Sequence, residues 1–432
     1  MAAVPGFLIV VVDCLRADLL ARPQAAWPAA SDLTRRGIRF ANAYTTCPTT
    51  TPAFTAMFTG RPPTSHGVRA LRGAKLAESV PTFSDELERS GYLTWASVTG
   101  PLLDNVGLLR GFGDIEYRDV PDRSVHSAWG ERLLDRVRDS AAAATPWLGV
   151  VHLWDVHTPR TYPPEFDSRR FGRTAYERSF AGIDPWLGRL FEIAGPDATI
   201  ILTGDHGENT TLEPRSLRQQ NVARRIRDRL PVERWATRMV ARGARSESKR
   251  LLHLAPRYFW NHNQTLFERD VRVPLVVAGP GIEAGVRATP VSHLDLAPTL
   301  LDLAGLAAPA AGWTGVSLAP SLRGTDEPPA HPIVMEVPTG TPSGVATVSQ
   351  AAIRDGSWKL VTTLEDAAVA DALYDLVADP DERRNRAADH PDVVERLKAR
   401  LREITTERTD ADAMSEEDDA ILAARLDELG YL

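Results

Sequence analysis

The run Phe7 to Val12, FLIVVV, is continuously apolar and rich in β-branched residues over the length of one strand. That is the pattern of a strand buried on both faces of a parallel sheet. Runs of the same kind recur at Leu93 to Val98, Trp147 to Leu153, Thr199 to Thr203 and Val273 to Val277, with helix-patterned stretches at Pro81 to Ser90, Ser127 to Ala144 and Ala175 to Ala194. The alternation predicts an α/β fold with a mostly parallel central sheet sandwiched by helices, and a binding crevice outside the carboxyl ends of the strands. Three polar groups fall at such ends: Asp13, then Asp155 with His157, then Asp205 with His206.

At 432 residues the chain exceeds the usual size of one domain. After Pro328 the strand-helix alternation gives way to short strands at Pro332 to Val337, Gln350 to Arg354 and Trp358 to Thr362. A turn-rich connector, Leu373 to Asn385, then leads to closing helices at Pro391 to Ile404 and Glu416 to Leu429. The expected division is a catalytic α/β domain over 1–327 and a smaller C-terminal α+β subdomain over 328–432. An arginine-rich stretch with apolar residues near helical spacing interrupts the first domain at about 210–260. It reads as a solvated amphipathic helical excursion, with a lid, an anionic-substrate contact or a membrane-surface contact as the alternative.

A net charge of -7 gives no reason to expect nucleic acid as a partner. Two cysteines, Cys14 and Cys47, cannot build a disulfide framework, and no apolar segment approaches the roughly 18 residues of a membrane span. With no basic leader before Phe7, the expected compartment is the cytoplasm. Nothing in the sequence fixes an oligomeric state.

The stretch Thr45 to Val68, TTCPTTTPAFTAMFTGRPPTSHGV, crowds hydroxyl residues at the start of a short apolar helix that Gly60 ends. Pro52 suits a first helical position and Thr50 or Thr51 a cap, which sets a hydroxyl oxygen at the positive end of the helix. Alone this is an ordinary capped core helix. Asp13, Asp205 and His206 with one hydroxyl oxygen, however, make a hard donor set suited to Mn²⁺, Zn²⁺ or Ca²⁺. Such an ion lowers the pKa of a Thr hydroxyl and draws in an anionic ester.

Over nearly its whole length the sequence resembles the alkaline phosphatase superfamily, in its sulfatase-like branch. The carrying segments are VVVDCLRADLL from Val10, TPAFTAMFTGRPPTSHGV from Thr51, WDVHTP from Trp154, LTGDHGE from Leu202, TLFERDVRVPLVVAGPG from Thr265, VSHLDLAPTLLDLAG from Val291, LYDLVADPDERRN from Leu373 and the terminal LGYL. The resemblance implies that Asp13, Asp205 and His206 bind a catalytic divalent metal with the nucleophile as a further ligand. Sulfatases convert the first residue of Cys-x-Pro-x-Arg to a formylglycine nucleophile; here that position is Thr50 in Thr50-Thr51-Pro52-Ala53-Phe54, so both the Cys and the Arg are missing. Cys47 is out of register with the motif. The regions where sulfatases bring lysines to the sulfate read VTGPLLDNVG and NHNQTLFERD, without Lys.

A Thr nucleophile is what the phosphatase, phosphodiesterase, phosphonate-hydrolase and phosphotransferase branches use. The sequence therefore predicts a metal-dependent hydrolase of phosphate esters, whether monoester, diester or phosphonate, acting through a phosphothreonine on Thr50. His157 and His262 are candidates to hold the non-bridging oxygens or protonate the leaving group. Alternatively, Asp155, His157 and His262 would hold a second metal ion. The competing functional readings are a phosphotransferase passing the group to an alcohol, a sulfoester hydrolase and a metal-binding pseudoenzyme. In each the partner is a small anionic ester or the metal itself.

Overall fold

The computed structural model describes residues 6–210, 213–222, 265–307, 312–337, 350–363, 370–406 and 411–428. His262 and the body of the arginine-rich insertion lie outside the described residues. In chain order the first strands are β1 Gly6–Val12, β2 Ile38–Tyr44, β3 Ala74–Lys75, β4 Leu93–Thr99 and β5 Asp114–Arg118. They continue with β6 Trp147–Leu153, β7 Ala198–Gly204, β8 Arg272–Ala278, β9 Gly285–Arg287 and β10 Val291–Ser292. All of these but β3 form one nine-stranded sheet in the order β10-β2-β8-β7-β1-β6-β4-β5, with β9 beside β2. β8 runs antiparallel to both its neighbours, β2 and β7, and the remaining pairs are parallel.

Alternation along the strands divides the core. Phe7, Ile9 and Val11 face one layer with Phe54, Phe58, Phe83 and Leu300, while Leu8, Val10 and Val12 face the other with Leu33, Trp129, Phe180 and Leu187. The helices on the first side are α2 Thr50–Thr59 and α3 Phe83–Arg89, together with Leu296–Leu303; on the second side they are α1 Pro28–Arg36, α4 Ala128–Ala142 and α5 Ala175–Ala194. Burial of β1 on both faces explains its continuous apolar run, and every residue of that strand is fully buried.

The C-terminal part is an antiparallel sheet, β11 Ile333–Glu336, β12 Gln350–Asp355, β13 Trp358–Thr363 and β14 Ala372–Asp375, in that order. Helix Pro391–Ile404 covers it with Val394, Leu397 and Leu401. Several strands were not legible in the sequence, β2 and β14 among them. β2, IRFANAY, is only partly buried and carries Arg39 and Asn42, so it lacks the unbroken apolar run; β14 hides in the start of the turn-rich connector because it is only four residues long. Among the described residues, no helix is long and apolar enough to cross a membrane.

Candidate active site and metal centre

Strand register brings the site together. Val12 stands opposite both Leu153 and Gly204, so the residues that follow β1, β6 and β7 emerge at one edge of the sheet. Asp13 continues the alternation of Val11 and so points toward the layer that contains α2. Its backbone N–H donates to Leu153 O at 2.9 Å, and Cys14 then turns through φ 61°, a left-handed conformation that non-glycine residues seldom adopt. From that turn, Cys14 N donates to Asp205 Oδ1 at 3.0 Å and ties the β1 and β7 ends together.

α2 begins one to two residues earlier than the sequence expected: its N-cap is Thr49, whose side chain makes no capping bond, and Pro52 lies within the first turn. Thr50 is therefore the first helical residue, and its hydroxyl is free of capping duty. Thr50 Oγ1 lies 3.5 Å from Asp13 Oδ2 and 3.4 Å from His206 Nε2, at the positive end of the helix. Thr51 turns away, donating to Pro101 O at 3.4 Å, and Thr55 and Thr59 bond back to the carbonyls four residues earlier. Phe54 fills the place of the absent arginine and sets its ring edge-on to His152, with centroids 5.0 Å apart.

His206 Nδ1 donates to Gly207 O at 2.9 Å, which places the proton on that nitrogen and leaves Nε2 facing Asp13, Asp205 and Thr50. Behind it, Gly207 N donates to Asp270 O at 2.8 Å and Glu208 N to Arg269 O at 3.1 Å. A Cβ on Gly207 would stand 2.0 Å from Arg269 O, so only glycine permits this close approach.

Two members of the cluster, His152 and Cys14, were missed in the sequence. His152 lies in β6 opposite Val11, fully buried, with Nε2 3.1 Å from Asp13 Oδ2. An imidazole breaking the apolar run WLGVVHL was the available signal. Cys14 also approaches, with Sγ 2.9 Å from Asp13 Oδ1.

Asp13, Cys14, His152, Asp205 and His206 are all fully buried, and their donor atoms fall within 4.8 Å of one another in two overlapping groups: Asp13, Cys14 and His206, and Asp13, His152 and Asp205. Burial pushes the Asp205 carboxyl up, and the charge of Asp13 pushes it further. Burial opposes ionisation of Asp13 too, but His157, His152 and His206 outweigh it and hold Asp13 below the usual carboxylate range. His206 is raised, the two carboxylates prevailing over burial. Asp205 Oδ2 is buried and accepts no hydrogen bond among the described residues. Two buried carboxylates, imidazole nitrogens and an unsatisfied oxygen are what a divalent cation neutralises, so the residues fit the metal the resemblance implied.

The other expected residues divide. His157 is buried, stacks on Trp154 with ring centroids 4.0 Å apart, and acts electrostatically on Asp13. Asp155 instead accepts from the Ser124 hydroxyl and from Val125 N at 3.2 Å, so its carboxylate holds the 124–126 loop and stands apart from the donor atoms gathered at Asp13. Of the described lysines, Lys359 pairs with Glu268 and Glu382, Lys398 pairs with Asp371, and Lys75 lies in β3.

The sulfatase family profile matches residues 5–306, and the profile of the N-sulphoglucosamine sulphohydrolase C-terminal region matches 257–407. The chain belongs to the sulfatase family. It is 27% identical to choline-sulfatase of Rhizobium meliloti, over 89% of this chain and 82% of that protein. It is also 27% identical to Delta 4,5-hexuronate-2-O-sulfatase of Bacteroides thetaiotaomicron, over 89% and 85%. A solved structure, the phosphonate monoester hydrolase of Agrobacterium radiobacter, superimposes with a TM-score of 0.70 at 18% identity, covering 93% of this chain and 96% of that one. The chain is thus a sulfatase-family hydrolase on the mixed, mostly parallel sheet expected.

Proposed function

We propose that the chain hydrolyses phosphate esters, with Thr50 as nucleophile and a divalent cation held by Asp13, Asp205 and His206. The observation that carries this reading is the position of Thr50 Oγ1, uncommitted as a helix cap and within 3.5 Å of Asp13 Oδ2 and 3.4 Å of His206 Nε2. Oxidation of the secondary hydroxyl of Thr50 would give a ketone, so this residue cannot become formylglycine.

When bound, the cation supplies a Lewis acid that lowers the hydroxyl pKa and offsets the charge on the ester. The chain's own part is positioning. Thr50 Oγ attacks phosphorus in line, forming the Oγ–P bond as the bond to the leaving oxygen breaks; the hydroxyl proton leaves toward Asp13 Oδ2, and His157 delivers a proton to the departing alkoxide. Water then gives a proton to His157 and attacks phosphorus as the Oγ–P bond breaks, and Thr50 Oγ takes back the proton held at Asp13 Oδ2. The positive end of α2 favours the negative charge brought to this spot.

Sulfate-ester hydrolysis is the second reading, because the named relatives are sulfatases. Against it stand Thr50, Phe54 in place of the arginine and the lack of a lysine at the cluster among the described residues. Initial rates on aryl phosphates, diesters, phosphonates and sulfates with added Mn²⁺, Zn²⁺ or Ca²⁺ separate the two. Turnover of phosphoryl substrates is expected, and strong activity restricted to sulfates would overturn the assignment.

A further inference from the structure

A cavity of about 640 Å³ opens between the β2–β8 edge, the turn after β1 and the 380–383 turn of the C-terminal sheet; Asp13, Thr50 and His206 are not among its lining residues. Its walls hold five arginines and four acids, and most of these charges cancel locally. Arg16 pairs with Asp18 at 2.7 Å, Arg383 with Asp381 at 2.6 Å and Arg269 with Asp270 at 3.7 Å. Glu268 and Glu382 both close on buried Lys359, at 3.0 and 2.9 Å. The charge left over belongs to Arg39 and Arg272.

Neither of these guanidiniums forms an ion pair among the described residues. Arg272 donates to one backbone carbonyl, Ala41 O at 2.6 Å, and its buried Nε meets no acceptor among the described residues. Burial and then the charge of Arg272 hold Arg39 below the usual arginine range, as expected for two like charges facing one space. Both residues stand on hydrogen-bonded neighbouring strands, Arg39 in β2 opposite Val276 and Arg272 at the start of β8 opposite Tyr44, so a rigid frame carries them at two levels of the same cavity wall. Two planar forks of donors with no carboxylate to meet them match the oxygens of a tetrahedral dianion.

We propose that Arg39 and Arg272 bind a phosphate or sulfate group in this cavity, at a site separate from Thr50 and bridging the main sheet to the C-terminal sheet. The group is either the free inorganic oxyanion or the charged end of a larger ester. The assignment is independent of which ester Thr50 attacks.

The test is calorimetric titration of the full chain with inorganic sulfate, inorganic phosphate and an aryl sulfate, comparing the parent with Arg39→Gln and Arg39→Lys. Loss of one guanidinium is expected to weaken anion binding about tenfold or more, with Arg39→Lys in between. Loss for the inorganic ions identifies the free oxyanion as ligand; loss for the aryl sulfate alone identifies the larger ester. Thermal melts without added anion report folding: Arg39→Gln is expected to melt no earlier than the parent, since it relieves like-charge repulsion, and to lose the stabilisation that sulfate gives the parent. Affinities in Arg39→Gln equal to the parent's for all three ligands would overturn the proposal, because all binding would then belong to the Thr50 site.

Discussion

Two buried charged clusters, one around Lys359 and one around Asp13, are built on opposite principles. Around Lys359 the charges are closed: Nζ lies 3.0 Å from Glu268 and 2.9 Å from Glu382, Tyr44 OH donates to Glu268 Oε2 at 2.7 Å, and Glu268 N donates to Glu382 Oε2 at 2.7 Å. Around Asp13 the charges are open: two carboxylates share the site with imidazoles, and no lysine or arginine pairs with either carboxylate among the described residues. Closure makes a strut between the C-terminal sheet and the 267–271 turn, which in turn holds the backbone after His206. Incompleteness marks the place that needs something the chain does not supply. Burial alone does not distinguish structure from function; the balance of buried charge does.

Removing a charge should therefore have opposite effects on stability in the two places. Lys359→Met leaves two carboxylates buried without their cation and is expected to destabilise the fold by about 3–5 kcal/mol, read from urea unfolding. A loss under 1 kcal/mol would show that the network is not the strut described. The pH dependence of stability has a definite sign here too. Burial pushes the Glu382 carboxyl up to about 7, so between the ordinary 4.5 and 7 the folded chain holds a proton that the unfolded chain has lost. Stability contributed by this group is present below pH 4.5 and falls as pH rises through that window, by about 1–3 kcal/mol, and Glu382→Gln should flatten the slope.

Asp205→Asn should do the reverse. In chelator-treated protein it removes one of two repelling carboxylates, and a gain of about 1 kcal/mol is expected; a parallel melt with added metal should show the metal-induced stabilisation lost. A mutant less stable than the parent in chelator, or one still stabilised by metal, would break the contrast.

Much of this was legible in the chain. The apolar runs that became β1, β4, β6, β7 and β8 are buried on both faces, and such strands advertise themselves by continuity. Asp13, Thr50, Asp205 and His206 converge because each follows or opens an element whose pattern was plain. His152 was hidden because it sits within a strand, where a polar side chain reads as an interruption until its cross-strand neighbour is known. Asp155 shows the ambiguity of such a signal: a strand-end carboxylate has the same sequence signature whether it faces a metal site or, as it does with Ser124 and Val125, accepts bonds from a loop. The Arg39–Arg272 pair depends on register between strands far apart in sequence, which no local pattern carries.

The most direct test of the central claim is to trap the intermediate. Metal-loaded protein, mixed with a phosphoryl substrate that it turns over and quenched in acid, should carry one phosphoryl group on the peptide containing Thr50, located there by fragmentation. Thr50→Ala should show no label and lose on the order of 10⁴-fold or more in kcat. A phosphoryl group on another residue, or Thr50→Ala turning over at the parent's rate, would contradict the account.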